Sequence, residues 1–161
     1  MSYSAYIDAT DYAEVYPDDT ISSQAFGRLA YEASRIIDNW VTGVDGVNKL
    51  TVAYPSDDTP ILFCACKLVH VLNQIMQEEN RLTASSGAVS SASVGMINSV
   101  SSGSESISFK NVNSVYLAAA QDEDAKNKLL GDIVRQCLAG EIDANGVNLL
   151  YGGVYPCTLT Q

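Results

Sequence analysis

The residues best equipped for chemistry are few and scattered. His70 is the one histidine of the 161-residue chain, and four cysteines stand at 64, 66, 137 and 157. His70 lacks the second histidine or cysteine cluster that a zinc site needs, so a structural histidine is expected. Cys64-Ala-Cys66 has the look of a metal or redox pair. On a helix, however, residues two apart point about 200° apart and do not readily chelate one ion. Small packing side chains are the expectation there. Ser102-Gly-Ser-Glu-Ser106 lacks the Gly-x-Ser-x-Gly pattern of a nucleophile elbow. There is no phosphate-cradling glycine loop. Asp122-Glu-Asp124 could meet a cation, but acids at a helix start are favoured by the helix dipole alone. No acid–base pair emerges, so no catalytic residue, cofactor site or metal site is assigned, and the chain is not expected to be an enzyme.

The elements that carry these residues are mostly helical. Residues 8–16 read as a short acidic helix, capped by Asp8 or Thr10 and stopped by Pro17. Ser22 is placed to cap a second helix over about 23–41. Its stripe is Phe26, Leu29, Ala30, Ala33, Ile36, Ile37 and Trp40, with Gly43 at the C-terminal cap. Thr59-Pro60 opens a third helix running to about Leu82, apolar almost all round over 61–76 and therefore central. A last helix spans about 122–139, with Leu129, Leu130, Ile133, Val134, Cys137 and Leu138 buried, and ends at Gly140. One core is expected from Leu29, Ile36, Trp40, Leu68, Leu72, Ile133 and Val134. The fold class is mainly α: a small helical bundle with a long Ser-rich loop or β-hairpin and an extended C-terminal tail. The whole chain reads as a single domain, with its helical core at about 8–82 and 115–140. No internal repeat is read from the sequence.

Residues 83–114 hold 12 serines, the composition of a linker. Two stretches within it alternate, one through Val94, Met96 and Val100 and one through Ile107 and Phe109. With Ser102-Gly103 between them they suggest a hairpin that orders against a neighbour. The tail, 141–161, contains the apolar, glycine-punctuated run Leu149-Leu-Tyr-Gly-Gly-Val-Tyr-Pro156. Nine tyrosines, several of them near the two ends, suit protein contacts as well as ordinary core packing.

Nine Lys and Arg stand against 19 Asp and Glu, a formal charge of −10. Phosphate binding needs clustered cations, so neither nucleic acid nor an anionic membrane is an expected ligand. No segment is read as the ~20 apolar residues of a membrane span. Met1–Asp8 is acidic and lacks the basic start of a signal peptide, and the cysteines are expected to be reduced in a cytoplasmic setting.

The Tyr-rich acidic opening, the helix Phe26-x-x-Leu-Ala-x-x-Ala33-x-x-Ile36-Ile-Asp38, the segment Ser104-Glu-Ser-Ile-Ser-Phe109, Leu138-Ala-Gly140 and the tail Leu149–Tyr155 together resemble a known family. They are similar to the head–tail connector, or head completion adaptor, proteins of long-tailed bacteriophages and prophages. The resemblance covers nearly the whole chain, and the tail is its most specific piece.

It implies a helical structural protein of the virion, without a catalytic site. Such a protein assembles with itself as a dodecameric ring under the portal protein and joins it to the next neck or tail component. DNA passes through the lumen without specific binding. Assembly takes place in the host bacterial cytoplasm, and the protein ends at the head–tail junction. The resemblance places portal binding at Leu149, Leu150, Tyr151, Gly152, Gly153, Val154 and Tyr155. It places neck or ring contacts at Val94, Met96, Ile107 and Phe109. Glu141–Asn145 is inserted relative to the family spacing, and the serine-rich segment is long. An acidic lumen would let DNA slide where a basic one would hold it. The other class of function is a secreted or surface-exposed helical interaction module with a Ser-rich stalk. A small enzyme with an acidic site ranks last.

Overall fold

The computed structural model describes residues 5–86, 99–102, 105–108 and 114–156, with side chains described at 5–83 and 114–156. The fold is mainly helical. Two compact units divide the chain: Met1–Asn73 with Lys128–Gln161, and Gln74–Asn127.

The first unit begins with α1, Ala9–Val15. Asp8 caps it by accepting from the amides of Thr10 and Asp11, and the Asp8 amide in turn donates to the Asp11 carboxylate. That reciprocal box settles the choice between Asp8 and Thr10. The second helix, α2, is Ser23–Val41, with Ser22 as its N-cap. Its buried face is Phe26, Leu29, Ala30, Ala33, Ser34, Ile37 and Val41. The stripe is therefore rotated from the expected one. Ile36 is only half-buried, and Trp40 is 36% exposed while Val41 occupies the core. Near a helix end, 3.6-residue spacing leaves positions 40 and 41 both close to the stripe's edge. Trp40 instead lies over Gly131, where an added Cβ would come within 2.7 Å of its ring. The Arg135 guanidinium covers the ring at 4.9 Å from its centroid.

A four-residue helix absent from the sequence reading, α3 at Lys49–Val52, follows α2. The long helix α4, Thr59–Ser86, starts in this unit. Asp58, rather than Thr59, closes its first turn, since its carbonyl accepts from Ile61 and Leu62. Ile61, Cys64, Ala65, Leu68, Val69 and Leu72 are all buried, which confirms its central place. By length and composition its Thr59–Thr83 stretch could cross a membrane, contrary to the sequence expectation, yet 56% of that window is buried within the protein. A core helix covered on several sides has the same composition as a span. The unit ends with the later part of α6, Glu123–Leu138, whose Leu130, Ile133, Val134 and Leu138 are buried.

The second unit holds the rest of α4, a two-stranded sheet, α5 and the start of α6. Strands β1, Ser99–Ser102, and β2, Glu105–Ser108, pair antiparallel with Val100 opposite Ile107 and Ser102 opposite Glu105. The hairpin read around Ser102-Gly103 thus has its pairing, while Val94, Met96 and Phe109 lie outside the described residues. Helix α5, Val115–Gln121, capped by Ser114, precedes the last helix, and the sequence reading, which starts that helix at about 122, assigns it no helix of its own. The break falls at Asp122, whose side chain takes the Asp124 amide and whose carbonyl takes that of Lys126.

Candidate interaction surface

Two loops of the first unit share one construction. Residues 42–50 read Thr-Gly-Val-Asp-Gly-Val-Asn-Lys-Leu and residues 142–150 read Ile-Asp-Ala-Asn-Gly-Val-Asn-Leu-Leu. Each follows the C-terminus of a long helix. In each, a bridge closes the loop, Thr42 to Asn48 and Ile142 to Asn148. In each, the glycine at the fifth loop position donates back to the second, Gly46 to the Gly43 carbonyl at 3.0 Å and Gly146 to the Asp143 carbonyl at 2.9 Å. Gly46 and Gly146 take the left-handed conformation, φ +76° and +79°, which explains glycine at both places. The two asparagines then do the same work, Asn48 Oδ1 accepting from Leu50 N at 2.9 Å and Asn148 Oδ1 from Leu150 N at 2.8 Å. This is an internal repeat, which the sequence reading missed. The shared Gly-Val-Asn-x-Leu is short, and the rest of the two helices differs.

The two loops clasp each other. The Val44 amide donates to the Gly152 carbonyl at 3.1 Å, and the Ala144 amide donates to the Ala53 carbonyl at 3.3 Å. Gly43 lies so close to the tail that a Cβ would stand 2.5 Å from the Gly153 oxygen. That close approach, and not a helix cap, is why glycine stands at 43; the C-cap of α2 is Thr42. Tyr155 completes the join. Its amide donates to Asp45 Oδ2 at 2.7 Å, and its hydroxyl donates to Asp143 Oδ2 at 2.5 Å. The Tyr155 amide first, and the Val47 amide after it, hold the Asp45 carboxyl below the usual range. The same Asp143 bond raises the Tyr155 phenol.

Under the clasp, one difference between the repeats is informative. Leu149 and Lys49 occupy equivalent positions and both are fully buried. Lys49 Nζ donates to the Val41 carbonyl at 2.7 Å, serving a carbonyl that the end of α2 leaves free. Burial lowers the Lys49 ammonium, while the Asp45 and Asp143 charges work against that fall.

The tail residues named in the sequence divide accordingly. Leu149 is 0% exposed and belongs to the core, and Leu150 is half-buried. Tyr151 is 50% and Val154 64% exposed. Gly152 and Gly153 make the backbone approach to the first loop, and Tyr155 is fixed by two aspartates. Val44, 81% exposed, with Val52, Tyr54 and Ile142, adds to the same pair of loops. The paired loops thus carry six of the large apolar side chains exposed among the described residues. Of the neck-contact residues, only Ile107 falls in the described chain, on β2.

His70 and the tyrosines of the opening segment have structural partners. His70 Nδ1 lies 2.9 Å from Asp19 Oδ2, which also accepts from the Tyr12 hydroxyl at 2.5 Å. Tyr16 stacks on the His70 ring, centroids 4.5 Å apart. Burial pushes the Asp19 carboxyl up, but the bonds from Tyr12 and His70 outweigh it and leave Asp19 below its ordinary value. The cluster ties α1 and the turn after it to α4. Tyr6 ties the opening segment to α2, its hydroxyl donating to Asp38 at 2.5 Å. Cys64 pairs with Cys137 and not with Cys66: the shared hydrogen bond, together with burial, raises the Cys64 thiol, and the same bond draws Cys137 down against its own burial. Burial pushes Cys66 up to about 11. Among the described residues, no group of three His, Cys, Asp or Glu side chains could hold a metal ion.

Comparison with family models, with curated proteins and with solved structures found no match for this chain.

Proposed function

We propose that this protein is a structural connector of a bacteriophage particle. It sits as a ring at the head–tail junction and joins the portal to the next neck or tail component, with DNA passing through the lumen. The reading starts from the sequence resemblance of the tail. One observation supports it above the others: the tail is rooted in the core at Leu149 and locked at Tyr155, yet holds Tyr151 and Val154 out to solvent. A side chain held outward on an ordered backbone loses little further freedom when a partner covers it, so such residues suit permanent docking. In a ring, many tails bind at once, and modest single contacts become durable attachment. The surplus of acidic residues fits a wall past which DNA slides.

The test is assembly of portal-bearing heads with the purified protein. Tyr151→Ser combined with Val154→Ser is expected to leave the helical spectrum unchanged and to abolish attachment. Unimpaired attachment of that variant would overturn the tail as the docking element.

A further inference from the structure

The tail does not stand alone, because the first loop is built like it and hydrogen-bonded to it. Val44 lies beside Gly152, and Ala144 beside Ala53, so the two loops that carry the exposed apolar residues are joined into one structure. The exposed charged residues of the loops and their flanks have a consistent sign. Over 42–58 and 139–156 the acids that reach solvent are Asp45, Asp57, Asp58 and Glu141, while Asp143 is buried under the Tyr155 hydroxyl. The only cation there is Lys49, which is fully buried beneath the loops. These two stretches therefore offer apolar side chains and negative charge, with no exposed cation among them.

We propose that the paired loops, 42–54 and 142–155, form one docking face for a protein segment that is apolar at its centre and carries lysine or arginine at its edge. The inference rests on the reading of the tail as a docking element. It goes further in making the first loop half of the site and in fixing the partner's chemistry. Val44, Tyr151 and Val154 supply contact area, and the carboxylates select the sign of the rim. The same face of a second copy is a poor occupant, since acids would then meet acids. Duplication of the loop gives the face two similar halves, which enlarges it without lengthening the tail.

The probe is a synthetic amphipathic helical peptide of leucine and lysine, with a leucine–glutamate peptide of the same pattern as its counterpart. Binding to the full chain is read by fluorescence anisotropy, and the contact is mapped by hydrogen exchange. The lysine peptide is expected to bind, to weaken as salt is raised, and to slow exchange in both loops. Val44→Ser with Val154→Ser is expected to weaken it about tenfold or more with an unchanged helical spectrum. Equal binding by the variant would mean that net charge alone attracts the peptide, and would overturn the proposal. So would equal binding of the glutamate peptide, or protection confined to other segments. Concentration-dependent protection of the loops without peptide would make a second copy the occupant and likewise overturn it. Attachment to portal-bearing heads is scored on the same variant. If the variant loses the peptide but still attaches, the docking face stands as a peptide site and portal docking through the tail falls.

Discussion

The Val44 amide donates to the Gly152 carbonyl across 3.1 Å, so the loop after α2 and the tail after α6 are held as one structure. The tail is a loop with a partner, and its outward side chains sit on a backbone fixed from both sides. Substitutions beneath the clasp should be costly, and those on its outer face should not.

Gly43 gives the sharpest contrast. An alanine there would put a Cβ 2.5 Å from the Gly153 oxygen and 2.8 Å from Asp45 Oδ1. Backbone has to move, so Gly43→Ala is expected to cost about 1–3 kcal/mol. Gly27, inside α2, meets nothing within 4 Å. Gly27→Ala is expected to stabilise by roughly 0.5–1 kcal/mol through helix propensity alone. Chemical denaturation of the two variants checks the opposite signs.

Lys49 is a second test of the clasp. Lys49→Ala removes the donor to the Val41 carbonyl and leaves a cavity, with an expected loss of about 2–5 kcal/mol. Lys49→Met fills the space as Leu149 does in the second loop, and its cost should be less than half of that. Equal losses in urea unfolding would show that volume is not what the position requires.

Trp40 is the sole tryptophan and reports on its own site. Gly131→Ala would place a Cβ 2.7 Å from the indole ring. The ring can swing outward, so the expected result is a red-shifted emission spectrum with little change in helix content. An unchanged spectrum would show that the indole does not rest on Gly131.

How much of this was legible follows from what each residue does locally. The bounds of α2, Ser22 as its cap and the central run of α4 are set by side-chain type and 3.6-residue spacing, and they were read from the sequence. Trp40 was misplaced because its environment is made by Gly131 and Arg135, which are distant in the chain. The paired loops were missed for the same reason. Their sequence signal is Gly-Val-Asn-x-Leu at 46–50 and 146–150, which is too short to weigh without the matching hydrogen bonds. Leu149 looked like an exposed anchor because apolar residues in a glycine-rich tail carry no mark of which way they face.

Acid should loosen the attachment of α1 to α4. The folded Asp19 carboxyl lies below its unfolded value of 3.8. Its contribution is therefore fully present above pH 3.8 and is lost as pH falls through the folded value. Thermal midpoints of the native protein should drop over that acid range more steeply than those of Asp19→Asn. Parallel curves would remove Asp19 as the cause.

The most direct measurement is sedimentation of purified portal-bearing heads mixed with the native protein or with Tyr151→Ser, Val154→Ser. The native protein should co-sediment with the heads, and the variant, folded and helical, should remain in the supernatant. Co-sedimentation of both alike would contradict docking through the tail, and co-sedimentation of neither would contradict a connector bound to the portal.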